Sequence, residues 1–132
     1  MLIYLWIGLG SALGGMARCG VVDYVSRHWG VAYPYGTLWV NVSGSFLIGF
    51  FAALTGVGGS VSATPTGRQF FMAGICGGYT TFSAFSLQTL ELIQKGEWPK
   101  AGINVVFSVG FCMIAVWLGY VLAMYFNRLK GT

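Results

Sequence analysis

The polar side chains inside the apolar stretches of this chain are nearly all hydrogen-bond donors that carry no negative charge: Arg18, Thr37, Asn41, Ser43, Thr80, Thr81, Ser83, Ser86, Gln88, Thr89, Asn104 and Ser108. A polar group in hydrocarbon is costly unless satisfied, so each is a candidate functional residue. Asp23 and Glu91 lie near the ends of their stretches, and no carboxylate falls near the centre of any. Proton relays and cation-coupled antiporters depend on a buried carboxylate. Its absence argues against proton-coupled export and favours a neutral or anionic permeant. Tracks of hydroxyls and amides suit a small anion that must be stripped of water, each donor replacing part of its hydration shell. At helical spacing Thr37 and Asn41 share a face one turn apart, as do Asn104, Ser108 and Cys112.

Bland readings compete at each position. A single Ser or Thr more often bonds back to its own helix or joins neighbouring helices. A mid-membrane amide such as Asn41 is harder to satisfy locally, and function weighs evenly with structure there. Phe82 and Phe85 sit three apart, and composition alone places such rings against lipid or core. A ring edge is positive, so either could also touch an anion, which spacing does not decide. Arg18 either snorkels to the interface or draws anions into a vestibule.

Four apolar spans must position these groups, at about residues 2–24, 37–55, 69–93 and 101–126. The expected fold is therefore all-α, a single integral membrane domain over residues 1–132 with short loops. A hydrocarbon core of about 30 Å takes about 20 helical residues, and four spans use most of 132. The chain begins apolar without a positive leader, so the first stretch is expected to stay as a transmembrane helix. Gly10 and Gly14 give it a small-xxx-small face. Arg27, His28, Trp29 and Pro34 are expected in the following loop, with Trp29, Tyr33 and Tyr35 in an interfacial belt. The turn-rich run Gly56 to Gly67 reads as a surface loop. In the third span, paired glycines followed by β-branched threonines make Gly74 to Ser83 a poor helix. A helix broken near its middle is expected, and such backbone survives in a membrane only when buried in protein or lining a polar cavity. Trp98, Tyr120 and Tyr125 add anchors around the fourth span.

Only ten of the 132 residues are charged, against roughly a quarter in soluble domains, so lipid is the expected solvent. The net charge of +4 comes from cations scattered singly, which excludes a nucleic-acid surface. Cys19, Cys76 and Cys112 lie in apolar spans with no Cys-x-x-Cys pair, and His28 is the only histidine. Zinc or redox chemistry needs clustered ligands, so the cysteines read as small packing residues. Four spans put both termini on one side with Arg68, Arg128 and Lys130, opposite Arg27, Lys95 and Lys100 with Arg18 near them. The positive-inside rule needs an excess on one face, and these two nearly balance. Such a chain can insert both ways and pair with an inverted copy.

The third-span run Gly74-Ile-Cys-Gly-Gly-Tyr-Thr-Thr-Phe-Ser-Ala-Phe-Ser resembles the signature of the Fluc/CrcB fluoride channels. Pro34-Tyr-Gly-Thr-Leu-Trp-Val-Asn-Val-Ser-Gly resembles that family's second-helix pattern, and Gly14-Gly-Met-Ala-Arg18 its first-helix Gly-x-x-x-Arg. The match runs in order along the whole chain. It implies passive, fluoride-selective export from the cytoplasm that protects against fluoride toxicity. It also implies a dual-topology homodimer with two pores in a bacterial inner (plasma) membrane. By resemblance Asn41, Phe82, Phe85, Ser83, Ser108 and Thr37 line the pore, with Phe82 and Phe85 presenting ring edges, and Arg18 is the vestibule cation. A structural sodium ion (Na+) at the dimer interface is implied on the backbone carbonyls of Gly77 and Thr80 from both subunits. Asn104 and Cys112 stand where some members carry a tyrosine and a serine, which alters the fourth-helix track.

A small four-helix multidrug exporter is the nearest rival, but it needs a membrane-embedded Glu in its first helix, absent here. A structural assembly subunit would explain the glycine faces but not the broken third span. An enzyme lacks any pairing of nucleophile, base or metal ligands.

Overall fold

The computed structural model describes residues 1–131, whose regular elements are all helical, with no strand among the described residues. Four helical spans are long and apolar enough to cross a membrane: Leu2–Trp29, Tyr35–Leu54, Pro65–Gln94 and Trp98–Gly131. The protein is a multi-pass membrane protein. We label the regular elements α1 (Leu2–Trp29), α2 (Tyr35–Leu54), α3 (Pro65–Gln69), α4 (Gly77–Tyr79), α5 (Phe82–Gln94) and α6 (Trp98–Gly131), with π-helical turns over Phe70–Cys76 joining α3 to α4.

The expected spans are all present; the first, third and fourth run past their expected bounds, and the second starts two residues early and ends at Leu54. Arg27, His28 and Trp29 form the last turn of α1 rather than a loop. The helix stops at Gly30, whose φ of 83° suits a residue without a Cβ. Within that last turn His28 Nδ1 lies 2.8 Å from the Tyr24 carbonyl, one turn back. At 34 residues, α6 would span about 51 Å at 1.5 Å per residue, well beyond the hydrocarbon.

At one end of the bundle Asn127 of α6 clips the turn-rich loop to α2. Its Nδ2 donates to the Ala53 carbonyl at 3.0 Å and its Oδ1 accepts from Ser60 N at 2.8 Å. Arg68 Nε donates to Thr55 Oγ1 at 3.1 Å nearby. This end holds the start of α1, the end of α2, the start of α3 and the end of α6, so the four spans alternate up and down.

The helices approach through glycines. A Cβ on Gly78 would lie 2.9 Å from the Ser11 Cα, and one on Gly14 would lie 2.8 Å from Tyr79 N. A Cβ on Gly119 of α6 would sit 3.0 Å from Phe50 N of α2. Among lipid tails there is little hydrophobic drive between helices, so backbone contact of this kind supplies the van der Waals packing. Gly78 therefore serves contact with α1, and both it and Gly77 remain helical. The third span breaks just beyond them, at Thr80 and Thr81, and bends by 16°.

Gly78→Ala and Gly8→Ala form a matched pair, since nothing lies within 4 Å of a Cβ at Gly8. Gly78→Ala is expected to lose about 1–3 kcal/mol through overpacking and Gly8→Ala to be neutral, read by thermal unfolding in detergent.

Candidate functional site

Thr80 (φ −84°, ψ 158°) and Thr81 (φ −151°, ψ 114°) are extended, in a span otherwise helical on both sides. The break is held by groups outside the third span. Asn41 of α2 donates from Nδ2 to the Thr81 carbonyl at 3.0 Å and accepts the Thr81 N–H on Oδ1 at 2.7 Å. In a continuous helix that N–H would bond the carbonyl of Gly77, four residues back. Ala84 N, which would have bonded the Thr80 carbonyl, donates to Thr81 Oγ1 at 3.1 Å and makes Thr81 the N-cap of α5. Arg18 Nε donates to the Gly78 carbonyl at 3.1 Å. The Thr80 hydroxyl returns to the Cys76 carbonyl at 2.9 Å. The Gly77 and Thr80 carbonyls have thus lost their helical donors, while Gly78 has gained an arginine.

Beside the break lies a cavity of about 290 Å³ lined by Asn41, Ser45, Gly77, Thr80, Thr81, Phe82, Phe85, Ser108 and Cys112 among others. None of its lining residues is acidic or basic. Asn41 retains one N–H of its amide beyond the bond to Thr81. The Phe82 and Phe85 rings are 5.4 Å apart at 50°. Phe85 is buried, whereas Phe82 is 77 % exposed on the surface of the chain, so the cavity opens on a face without further protein.

The structure therefore brings Asn41, Phe82, Phe85, Ser108, Gly77 and Thr80 together. Thr37, one turn from Asn41, is buried and lines a second cavity of about 320 Å³ with Tyr33, Gln88, Glu91 and Lys95. Ser83 is exposed, its hydroxyl 3.2 Å from that of Thr81. Arg18 lines neither cavity and sits at the back of the break on Gly78. Asn104 is 2 % exposed and donates from Nδ2 to Thr89 Oγ1 at 2.9 Å, joining α6 to α5. Ser108 Oγ donates to Asn104 Oδ1 at 3.4 Å.

Sequence reading missed two features. Thr81 appeared only as one polar residue of many, although it takes both Asn41 bonds and caps α5; an isolated Thr before Phe-Ser-Ala is a weak cap signal. Tyr33 appeared only as an interfacial aromatic, yet burial, with the Tyr35 phenol beside it, pushes its hydroxyl above its ordinary pKa. It stays a neutral donor at physiological pH.

The family described as "CrcB-like protein, Camphor Resistance (CrcB)" matches residues 5–120. The chain belongs to the CrcB family. Relatives of this CrcB chain match along nearly their whole lengths. One from Methylocella silvestris, named "Fluoride-specific ion channel FluC", is 55% identical over 128 residues, 97% of this chain and 98% of its own. A protein of the same name from Opitutus terrae is 52% identical over 132 residues, covering 100% of both chains. Another, from Rhodospirillum rubrum, is 51% identical over 125 residues, 95% of this chain and 97% of its own.

Thr81→Val keeps the shape and β-branch but removes the cap of α5. It is expected to cost about 1 kcal/mol in thermal unfolding, with Thr81→Ser restoring most of it.

Proposed function

We propose that this protein is a fluoride-selective channel that lets fluoride leave the cytoplasm passively and so confers resistance to fluoride. The observation that carries the reading is the cavity at the break, lined by Asn41, Ser108 and two phenylalanines without a single charged side chain, in a chain about half identical over full length to proteins named as fluoride-specific channels. Such a cavity offers a small anion N–H and O–H donors and positive ring edges. It offers a cation no carboxylate. Fluoride, the most strongly hydrated halide, needs the closest set of donors in exchange for water, and a proton-coupled mechanism would need a carboxylate that the cavity at the break lacks.

In this reading Asn41, Phe82, Phe85 and Ser108 form the anion site, with Thr37 continuing the track along α2 and Ser83 beside the rings. Asn41 gives its free N–H to the anion while its other groups hold Thr81 in place. Phe82, exposed on the protomer face, meets a second copy of the chain in inverted orientation. The near balance of Arg68, Arg128 and Lys130 against Arg27, Lys95 and Lys100 suits a chain inserted both ways. Two pores then run along a dual-topology homodimer in a bacterial inner membrane. The Arg18 guanidinium behind the break adds positive charge to the vestibule.

The free carbonyls suit the structural sodium ion implied by the family resemblance. Gly77 and Thr80, having lost their helical donors, would hold it together with the same pair from the partner subunit, and hard oxygen ligands suit an alkali cation. The ion would supply positive charge that offsets these freed carbonyls. This chain's part is to keep those carbonyls free, which Asn41 does by taking Thr81 N–H and Thr81 by taking Ala84 N.

Proteoliposomes carrying the purified chain, followed with fluoride- and chloride-selective electrodes, are expected to release fluoride fast and chloride negligibly. Asn41→Ala is expected to reduce fluoride release more than tenfold. A folded protein that passes no fluoride, or passes chloride equally well, would remove this function.

A further inference from the structure

Charge is distributed unevenly between the two ends of the bundle. Arg68 lies in α3, and Arg128 and Lys130 lie in the last turn of α6, all at the end where α1 begins. The three acidic side chains of the chain, Asp23, Glu91 and Glu97, belong to the opposite end, toward the end of α1 and around the α5–α6 connection. No acidic side chain therefore stands near Arg68 to neutralise it.

Arg68 lines a further cavity, of about 590 Å³, with Ile3 of α1, Thr55 at the end of α2, and Gln69 and Met72 of the third span among others. None of its lining residues is acidic. Val57, Pro65 and Gln69 in that lining are exposed, so the cavity opens at the surface. An arginine that only snorkels stretches out into water. This one is held back: Nε donates to Thr55 Oγ1 at 3.1 Å, and Nη2 meets the Met72 sulfur at 3.8 Å. Thr55 is buried and its own hydroxyl donates to the Phe51 carbonyl at 2.7 Å, which fixes the acceptor. Of the five N–H groups of a guanidinium, these two contacts leave three for a ligand.

The aromatic residues set the depth of the cavity. Trp6, one turn along α1 from Ile3, stands edge-on to Phe70 with ring centroids 5.9 Å apart. Tryptophan favours the headgroup level of a bilayer. From there Leu5, Leu9, Leu13 and Met16 run along one face of α1 into the membrane, each of them exposed. We propose that the Arg68 cavity binds the headgroup of an anionic phospholipid. Its phosphate oxygens take the remaining N–H groups of the guanidinium fork, and its acyl chains lie along the apolar face of α1. A lipid held there stands just ahead of the π-helical turns over Phe70–Cys76. The site is separate from the cavity at the break and does not depend on which ion the chain passes.

Native mass spectrometry reads the site after purification with equal amounts of phosphatidylglycerol and phosphatidylcholine of the same acyl chains. The wild type is expected to retain phosphatidylglycerol, and Arg68→Gln to retain about fivefold less, the factor that one cation at a membrane surface supplies. Arg27→Gln removes a cation at the opposite end, and Thr55→Val removes the Arg68 bond but keeps the charge. Both are expected to hold the lipid. Thermal unfolding in detergent gives a second readout: added phosphatidylglycerol is expected to raise the melting temperature of the wild type but not of Arg68→Gln. Equal retention of the two lipids, or the same loss in Arg27→Gln or Thr55→Val as in Arg68→Gln, would overturn the site. Stabilisation by inorganic phosphate as large as by phosphatidylglycerol would overturn the lipid as its occupant.

Discussion

The side-chain amide of Asn41 replaces a piece of helix. By accepting the Thr81 N–H it takes the place of the Gly77 carbonyl that this N–H would find in a continuous third span, and its Nδ2 adds a further bond to the Thr81 carbonyl. In hydrocarbon no water can stand in for those partners, so an unclamped break would close back into a helix. The extended Thr80–Thr81 pair, the freed carbonyls of Gly77 and Thr80, and the N-terminus of α5 aimed at the same cavity all follow from that one reciprocal pair. Asn41 thus holds the backbone open with most of its hydrogen-bonding capacity and faces the cavity with what remains.

Glycine contacts make the clamp geometrically possible. Gly10 and Gly14 of α1 let the third span lie directly against its backbone, and Gly78 returns the favour at Ser11. That approach brings Arg18 within reach of the Gly78 carbonyl. A longer side chain at any of the three would push the third span outward, away from both Asn41 and Arg18. The break is therefore supported from two sides, by an amide on α2 and a guanidinium on α1. The π-helical turns at Phe70–Cys76 precede it, in a segment where the helix already departs from regular winding.

Much of this was legible in the residues. The four spans followed from hydropathy and length, and the weakness of the third from its glycines and threonines. The cause was only half visible: Gly77 and Gly78 stay helical, and the threonines carry the break. Asn41 stood out because an amide in mid-membrane has few local partners, but its partner lies forty positions away, and no spacing rule names Thr81. A first span ending near Tyr24 sets Arg18 close to a helix end; with α1 running to Trp29, it sits deep enough to meet Gly78. Conversely, the bond of Ser108 to Asn104, and of Asn104 to Thr89, is the ordinary structural use of polar groups between membrane helices.

The most direct test of the clamp is the backbone of Thr81 itself, read by solid-state NMR chemical shifts in lipid for the wild type and for Asn41→Leu. Extended shifts at Thr80 and Thr81 in the wild type, turning helical in Asn41→Leu, are the predicted result. Extended shifts that persist without the amide would mean that the break stands on its own, and the central place given to Asn41 would be wrong.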